Sequence, residues 1–353
     1  MRIGILGYGR FGRALGALLR EAGHSYRAWD AVGDLPVDLR AGSARQLVED
    51  SDTLVLAVPV PALAGALRDL RPHLRADHLV FDVGSVKVGP CAVLDEQLGV
   101  AIPHVGTHPL FGPVSLARAE RPLRVVLCPS AHHPAAALAV EALFQGLGCE
   151  VLRQPAEDHD RVMATTHALT FFIAKGLLAV GAGAELPFTP PSFHAIARTL
   201  ESVREDAGHL FAALQNQNPF AAGAREGLLE ALSAIHQSLA EAVASGAADE
   251  QLSIPDLGAR SPALQEARDH IDALDQELVA LLARRTELVL RAGRAKAELN
   301  LPVHDPEREA AQLQARRAWA QASGLDGQGV EEVFRAVLRA SRSAQGSAGE
   351  GRG

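Results

Sequence analysis

The feature that most constrains the fold is a glycine-rich turn near the amino terminus. Gly7, Gly9 and Gly12 follow a short apolar run at residues 3–6 and open a segment with helical periodicity. In a G-x-G-x-x-G turn the first glycine permits a tight bend, the second lets the backbone approach a pyrophosphate, and the third lets helix and strand pack closely. The start of the helix offers unpaired N–H groups to the phosphates. The residues predicted to bind a dinucleotide are Gly7, Tyr8, Gly9, Arg10, Phe11 and Gly12.

An acidic residue at the end of the second predicted strand bears on the choice of cofactor. Asp30 lies 18 residues after Gly12. There its carboxylate can bond both hydroxyls of the adenosine ribose, and it would repel a 2′-phosphate. We therefore expect NAD rather than NADP. The alternative, a glycine-rich turn that binds nothing, does not explain why strand, helix and acid occur together.

Apolar runs typical of buried strands recur over the first 150 residues, with helical segments between them. After the first run they lie at residues 26–30, 53–58, 79–83 and 124–128. Strands that alternate with helices predict a parallel, doubly wound α/β sheet of the Rossmann type.

From about residue 157 the sequence is helical in character. Segments rich in Ala and Leu lie at residues 157–184, 191–215 and 220–245, and further amphipathic segments lie at 264–299, 306–323 and 329–345. A Gly-, Pro- and Ser-containing stretch separates the two groups. The predicted divisions are 1–155 for the dinucleotide domain, 156–248 for an all-α domain, 249–262 for a linker, 263–346 for a helical bundle and 347–353 for a disordered tail.

Composition excludes several classes of partner. A net charge of −8 gives no reason to expect nucleic acid. Three cysteines without metal-like spacing fit a reducing cytosol, so we expect neither disulfides nor a metal site. The longest apolar stretches, 53–67 and 168–184, are interrupted by prolines and by Lys175, which argues against a membrane span. The first strand begins at residue 2 and leaves no room for a signal peptide, so a cytoplasmic protein is expected.

Two motifs in the second half of the dinucleotide domain are more specific than the glycine turn. Residues 81–87 read FDVGSVK, and residues 105–112 read VGTHPLFG. Together with the glycine turn and the segment TLVLAVPV, they resemble the prephenate dehydrogenase family, and the resemblance runs from residue 2 to about 215. It implies oxidative decarboxylation of prephenate to 4-hydroxyphenylpyruvate with NAD, a step of tyrosine biosynthesis.

The chemistry that this resemblance implies needs a base. The substrate hydroxyl must lose its proton as the hydride departs, and a neutral histidine suits that task. The resemblance assigns the role to His108, whose alternative is a surface histidine held by a proline-containing turn. Ser85 looks like the hydroxyl that orients the substrate alcohol and the nicotinamide, although it could instead cap the next helix.

The all-α second domain is expected to complete the substrate site and to form a dimer. His167 falls where many family members carry a substrate-side histidine, although a second family histidine is replaced here by Thr170. A substrate with two carboxylates calls for a buried guanidinium. Ser202 occupies the position where the family usually has an arginine, so Arg198 and then Arg204 are the candidates. Either could instead be a solvated surface residue.

The helices after residue 263 resemble the all-helical chorismate mutase family over nearly their full length. The matching stretches are ARDHIDALDQELVALLARR, AGRAKAE, LPVHDPERE and LRASRSAQ. The polar positions that the family uses for substrate are all filled, by Arg268, Arg285, Lys296, Asp305, Arg308, Glu309, Ser341 and Gln345. Helix periodicity agrees, because residues 285 and 296 share one face and residues 341 and 345 share another.

The rearrangement of chorismate to prephenate needs a dianion held in a compact shape and a donor at the ether oxygen. The resemblance assigns the carboxylates to Arg268, Arg285 and Arg308, with Arg268 reaching into the site of a partner subunit. It assigns the ether oxygen to Lys296 and Gln345, and the hydroxyl side to Asp305 and Glu309. A first helix of roughly 35 residues would span about 50 Å, which is too long for so small a domain to cover alone and favours a homodimer.

Two other readings stay open. A β-hydroxyacid dehydrogenase would use a lysine on a helix after the dinucleotide domain, and Lys175 is the candidate. The C-terminal helices could alternatively be a dimerisation or regulatory module without activity. The sequence also leaves open prephenate against arogenate, tyrosine feedback and channelling.

Overall fold

A computed structural model describes residues 1–33, 35–117, 122–182, 188–205, 208–245, 263–299, 302 and 305–350. Contacts divide the chain into two compact units. Unit 1 comprises Met1–Ala117 with Pro122–Ser253, and unit 2 includes Ile254–Gly353. The predicted linker, 249–262, lies outside the described residues.

Unit 1 is built on a sheet that has seven strands within the described residues. They are β1 (Ile3–Leu6), β2 (Tyr26–Trp29), β3 (Thr53–Leu56), β4 (Leu79–Asp82), β5 (His104–Pro109), β6 (Leu123–Pro129) and β7 (Cys149–Arg153). Their order across the sheet is β2-β1-β3-β4-β5-β6-β7. Helices pack around it, namely α1 (Arg10–Glu21), α2 (Ala44–Glu49), α3 (Val60–Leu70), α4 (Val88–Leu98), α5 (Pro113–Ala117) and α6 (Pro134–Gly146).

The predicted Rossmann-type sheet is confirmed, with one correction. β6 runs antiparallel to β5, whereas the sequence predicted parallel strands throughout. The described helix between these two strands, α5, has five residues and spans about 7.5 Å. That is shorter than the roughly 20 Å of the six-residue β5, which a parallel crossover would have to run back along. The chain therefore reverses direction instead of crossing over.

Both faces of the sheet are buried, as expected for strands that read as continuous apolar runs. Ile5, Val55 and Phe81 point into one hydrophobic cluster, which α1 and α6 cover. Leu54 and Leu56 point into a second cluster on the opposite face, which α2, α3 and α4 cover. Burial on both faces fixes the register, so the carboxyl ends of the strands are held rigidly where a ligand site is expected.

A helical domain follows the sheet within unit 1. It contains α7 (Ala156–Met163), a π-helical turn (Ala164–Ala168), α8 (Leu169–Ala179), α9 (Pro191–Glu205), α10 (Gly208–Asn216) and α11 (Ala221–Ser245). Buried Ala168, Phe171 and Leu214 pack together with Val86 from the loop after β4. That loop therefore joins the sheet to the helical domain.

One stretch of this domain satisfies a simple membrane-span criterion. Ala156–Ala179 is long and apolar enough to cross a membrane by length and composition, with a hydropathy of 1.4 in a window of which 28% is buried. Core helices of globular proteins meet the same criterion. Here the stretch carries the fully buried carboxyl group of Asp160 and contributes Phe171 to the core.

Unit 2 consists, in its described part, of α12 (Ala263–Glu298), α13 (Pro306–Ala322) and α14 (Gly327–Glu350). The 36 residues of α12 span about 54 Å. The last helix ends at Glu350, so residues 347–350 of the predicted disordered tail are helical. Gly346 costs only about 1 kcal/mol relative to alanine, which is too little to end a helix that is already propagating.

Candidate active sites

The glycine turn joins β1 to α1 in a conformation that requires two of its glycines. Gly7 has a φ of 93°, and a Cβ there would lie 2.5 Å from the Ala57 carbonyl oxygen. A Cβ on Gly12 would lie 2.2 Å from the Gly7 carbonyl oxygen. Gly9 differs, because a Cβ on it would meet nothing within 4 Å. Gly9 caps α1, so its open side faces outward at the helix start, where a pyrophosphate fits.

Asp30 is bound to the turn itself. Its Oδ2 accepts a hydrogen bond from the backbone N–H of Tyr8 at 2.7 Å, and its Oδ1 accepts from Val32 and Gly33 at 2.9 Å each. Burial opposes ionisation of this carboxyl group, but the three N–H donors outweigh it and lower its pKa. The turn therefore carries a fixed negative charge beside the end of β2.

The side chains of the other residues in the turn differ in where they point. The hydroxyl of Tyr8 is buried and lies 2.8 Å from that of Tyr26. Burial and this hydrogen bond raise the pKa of Tyr26 to about 12. The Tyr8 side chain therefore packs in the core of unit 1. Phe11 packs on Phe111 with ring centroids 6.1 Å apart, and Arg10 is exposed.

His108 lies near the end of β5, within a chain of buried side chains. Its Nδ1 is 2.8 Å from Nε2 of His159, and Nδ1 of His159 is 2.8 Å from Oδ1 of Asp160. The three residues are 4%, 1% and 0% exposed. Burial, with the nearby positive charge of Lys87 and the rings of His159 and His167, lowers the pKa of His108 well below its usual value. His108 is therefore neutral at physiological pH.

A buried ion pair between Lys87 and Asp82 holds the loop after β4 against β5. Nζ of Lys87 donates to Oδ2 of Asp82 and to the carbonyl oxygen of Thr107, both at 2.5 Å. Asp82 also accepts from the backbone N–H of Gly84 and, through Oδ1, from that of Thr107. Lys87 is fully buried, so this pair fixes β4, its loop and β5 to each other.

The π-helical turn brings His167 beside His108. The two rings are nearly parallel, with centroids 6.4 Å apart and an interplanar angle of 10°. His167 also contacts the Phe171 ring edge-on at 4.9 Å. Burial and the neighbouring His159 lower the pKa of His167 as well. A π-helical turn re-aims a side chain locally and frequently marks a functional site.

Four other candidates in unit 1 are half-buried or exposed. Ser85 is half-buried in the loop after β4, next to Val86, which packs in the helical domain. The β4–β5 register puts this loop beside the end of β5 that carries His108. Arg198 and Arg204 are both exposed on α9, so neither provides a buried guanidinium within one chain. Lys175 is exposed too, with Nζ 6.0 Å from the Phe211 ring centroid.

In unit 2, three of the predicted residues, Arg285, Ser341 and Gln345, make contacts between α12 and α14. Arg285 donates to Oγ of Ser341, which is buried. Nε2 of Gln345 donates to the carbonyl oxygen of Val289 at 2.8 Å and lies over Gly293, where a Cβ would come within 3.1 Å of it. Lys296 is half-buried on the same face of α12, one turn further along. Burial and the nearby positive charge of Arg316 lower the pKa of Arg285.

The remaining predicted residues of unit 2 lie on α13 and α12. Asp305 caps α13, its Oδ1 accepting from the backbone N–H of Arg308 at 3.0 Å. Glu309 accepts from Arg342 on α14 at 2.6 and 2.7 Å. The side chain of Arg308 is exposed. The side chain of Arg268 lies outside the part of the chain that the structure describes.

Sequence reasoning missed several members of these networks. No role was assigned to His159 or Asp160 from the sequence, and the Lys87–Asp82 ion pair was not predicted. The available signal was the D-x-x-x-x-K spacing at the end of a buried strand, since such charges need a partner when buried. Within the described residues, no cluster of three or more His, Cys, Asp or Glu side chains could hold a metal ion.

The fold and the two sets of contacts define the class of protein. Unit 1 is a Rossmann-type dinucleotide-binding domain with a helical domain that carries part of its site, and unit 2 is a helical bundle with gathered cationic and amide groups. Two family models match the chain: the nucleotide-binding domain of prephenate dehydrogenase over residues 28–152, and chorismate mutase type II over residues 267–346. The chain therefore carries a nucleotide-binding domain of the prephenate dehydrogenase family at residues 28–152 and a domain of the chorismate mutase type II family at residues 267–346.

Individual relatives agree with this division. The T-protein of Haemophilus influenzae is 46% identical over 79 residues, which cover 22% of this chain and 21% of that protein. Isochorismate pyruvate lyase of Pseudomonas aeruginosa is 41% identical over 76 residues, 21% of this chain and 73% of that protein. The chain thus spans about a fifth of the length of the T-proteins that it matches.

A solved structure supports the fold of unit 1. Prephenate dehydrogenase from A. aeolicus, in complex with hydroxyphenyl propionate and NAD+, superposes with a TM-score of 0.57 at 20% identity. The superposition covers 79% of this chain and 98% of that chain. At this level of identity the likeness shows the fold, which confirms the predicted fold class.

Proposed function

We propose that unit 1 is an NAD-dependent dehydrogenase that converts prephenate to 4-hydroxyphenylpyruvate and CO2. The observation that carries the proposal is the buried, neutral His108 near the carboxyl end of β5, with Nδ1 bound to His159. Its Nε2 is then the nitrogen that can accept the proton of a substrate hydroxyl. Family membership over residues 28–152 supports the choice of substrate.

The cofactor and the protein side chains have different roles in the proposed reaction. NAD, when bound, accepts the hydride from the ring carbon that bears the hydroxyl group. His108 takes the hydroxyl proton as that hydride leaves, and returns it after loss of the ring carboxylate as CO2 has made the ring aromatic. Ser85 and His167 are proposed to orient the substrate. Arg198 and Arg204 are the proposed carboxylate ligands, in that order.

NAD is the proposed cofactor rather than NADP. The residues fit a dinucleotide, because Gly9 leaves open space at the start of α1 and the Cβ of any other residue would clash at Gly7 and Gly12. The carboxyl group of Asp30, whose pKa is lowered, is proposed to contact the adenosine ribose, and its negative charge would repel a 2′-phosphate. Tyr8, Arg10 and Phe11 complete the proposed contacts.

We propose that unit 2 rearranges chorismate to prephenate. The supporting observation is the gathering of Arg285, Ser341 and Gln345 between α12 and α14, with the pKa of Arg285 depressed by burial and by Arg316. A dianion would relieve this concentration of positive charge. Arg268, Arg285 and Arg308 would hold the carboxylates, Lys296 and Gln345 would donate to the ether oxygen, and Asp305 and Glu309 would contact the hydroxyl side. No covalent step is needed, because binding in a compact shape lowers the barrier.

A second candidate for unit 2 is elimination of pyruvate from isochorismate. It is favoured by the 41% identity to the lyase of that name, of which the chain covers 73%. Both substrates are dianionic enolpyruvyl ethers, so the same cations would serve. Arogenate likewise competes with prephenate for unit 1, and joining a unit that makes prephenate to one that consumes it favours prephenate.

A homodimer is the proposed assembly. Leu229, Leu232, Ile235 and Leu239 on α11 are about half exposed at helical spacing, as are Ile271, Leu274, Leu278 and Leu281 on α12. Apolar faces of this kind mark interaction surfaces. Light scattering should give the mass of two chains, and Leu232→Glu should shift it towards one. The expected cytoplasmic location stays a prediction.

Separate assays test the two activities. Prephenate with NAD should yield NADH and CO2, and arogenate should yield less. His108→Asn should lower turnover by about 10²- to 10⁴-fold while leaving NAD affinity unchanged. Turnover by that variant at the wild-type rate would refute the role of His108. Chorismate alone should be converted to prephenate, whereas pyruvate release from isochorismate at the higher rate would favour the lyase.

A further inference from the structure

The three side chains that end at His108 form one continuous hydrogen-bonded chain. Asp160 and His159 are adjacent on α7, and His108 is on β5, with both connecting distances at 2.8 Å. None of the three is more than 4% exposed. Buried polar groups are costly unless they are hydrogen-bonded. In a hydrogen-bonded series this enclosed, each nitrogen and oxygen must therefore act as a defined donor or acceptor.

The backbone at the start of α4 sets that direction. Lys87 N–H donates to Oδ1 of Asp160 at 2.8 Å, and Val88 N–H donates to Oδ2 at 2.9 Å. Backbone N–H groups can only donate, so both oxygens of Asp160 act as acceptors, as those of a carboxylate do. A neutral His159 then carries its proton on Nδ1 and accepts at Nε2. His108 in turn must carry its proton on Nδ1, which leaves its Nε2 unprotonated.

We propose that His159 and Asp160 are positioning residues that hold His108 in the tautomer able to accept a proton at Nε2 and that stabilise the charge His108 then gains. The inference rests on the proposed dehydrogenase function. When Nε2 takes the substrate proton, the Nδ1 proton can shift along the 2.8 Å contact to His159, which then pairs with the Asp160 carboxylate. The positive charge thus moves away from the substrate and next to a fixed anion. Return of the proton to the product reverses both transfers.

The charges around His108 explain why such support is needed. Lys87, His159 and His167 all face the ring, and each disfavours a positive charge on it. Asp82 offsets the charge of Lys87 at 2.5 Å but contacts Lys87 rather than His108. Asp160 reaches His108 through His159, so removing its charge should make His108 a weaker base.

Two variants break the chain at different points. Asp160→Asn removes the charge, but its amide group would face a backbone N–H and could unfold the helix start. His159→Asn leaves Asp160 bonded to Lys87 N and Val88 N, and its shorter side chain does not reach His108. Asp95→Asn is the matched control, because Asp95 pairs with His104 at the same 2.8 Å but belongs to neither site.

We expect both variants to lower kcat for prephenate by about 10²- to 10⁴-fold, with KM within about threefold of wild type. The acid limb of kcat/KM should move to lower pH, because His108 loses its hydrogen-bonded link to the Asp160 carboxylate in His159→Asn and the carboxylate charge itself in Asp160→Asn, and either loss lowers the pKa of the base. The double variant should lose no more than the worse single variant. An acid limb that stays in place, or an Asp95→Asn variant with the same loss, would overturn the proposal.

Nitrogen NMR of labelled histidines separates this inference from the proposed function. In the wild-type chain at neutral pH, His108 should be protonated at Nδ1 and unprotonated at Nε2, whether or not prephenate is turned over. His159→Asn should remove that preference, and Asp95→Asn should preserve it. A proton on Nε2 of His108 in the wild-type chain would contradict the proposal directly. Lack of prephenate turnover with the expected tautomer would instead count against the proposed function.

Discussion

The Asp30 carboxylate accepts a hydrogen bond from the backbone N–H of Tyr8 at 2.7 Å, so the acid after β2 is fastened to the glycine turn. Bonds from Val32 and Gly33 hold its other oxygen. The residue proposed to select the cofactor therefore also shapes the loop that binds it. Charge and geometry can be separated by two substitutions.

Asp30→Ala should relax the discrimination against NADP. We expect the ratio of kcat/KM for NAD to that for NADP to fall by about tenfold or more, because the repulsion of a 2′-phosphate disappears. NAD affinity should also fall, since the turn loses its three hydrogen bonds. Asp30→Asn, which keeps the size, should change the ratio with a smaller loss of affinity. An unchanged ratio in both variants would refute the role of Asp30.

The stability of unit 1 should fall in mild acid. The pKa values of His108 and His167 are both lowered in the folded chain, so below about pH 6.5 the unfolded chain binds more protons than the folded one. Stability that is fully present above that pH is then lost progressively as the pH falls. Urea unfolding at pH 7 and pH 5 measures the loss, and His108→Asn should reduce it. His236→Asn, on exposed α11, should leave it unchanged.

The buried Lys87–Asp82 pair predicts a large mutational effect. Lys87→Met leaves the Asp82 carboxylate buried without its cation, which should cost about 3–5 kcal/mol in free energy of unfolding. Adding Asp82→Asn removes the charge and keeps an acceptor for Gly84 N–H, so it should restore part of the loss. Urea unfolding of the single and double variants tests this. A loss below about 1 kcal/mol in the single variant would mean that the pair is not desolvated.

Arg285→Ala should separate the two activities. Loss of the guanidinium that contacts Ser341 should lower chorismate turnover by about 100-fold or more, because a carboxylate of the substrate loses its ligand. Prephenate oxidation by the same protein should be unaffected. Arg317→Ala, an exposed arginine of α13 near Glu331, is the control. Unchanged chorismate turnover in Arg285→Ala would show that the helices do not hold the substrate there.

The sequence was most informative where burial dictates residue type. Strands β1, β3 and β4 are continuous apolar runs, since both faces of the sheet are covered, and they were predicted within two residues of their ends. β5 was missed because HVGTHP contains two histidines, a glycine and a proline. β5 is fully buried because of contacts that form only in the folded chain, such as the hydrogen bond from Nζ of Lys87 to the carbonyl oxygen of Thr107.

The candidate site could be predicted only in part for a similar reason. His108 and His167 were identified from motifs, and the structure brings them together. The hydrogen bonds from His108 to His159 and on to Asp160 could not be predicted from the sequence. His159 lies 51 residues from His108, and Asp160 accepts from the backbone N–H of Lys87, 73 residues away. In unit 2, helix periodicity placed Ser341 and Gln345 on one face, and in the structure Ser341 accepts from Arg285 while Gln345 donates to the carbonyl oxygen of Val289.

The most direct test supplies the purified protein with chorismate and NAD and no other substrate. If both units are active, NADH should form after a lag that shortens with added protein, since unit 2 must make the prephenate that unit 1 oxidises. The His108→Asn and Arg285→Ala variants should each abolish the signal, and added prephenate should restore it only in Arg285→Ala. No NADH from chorismate or from prephenate would contradict the account.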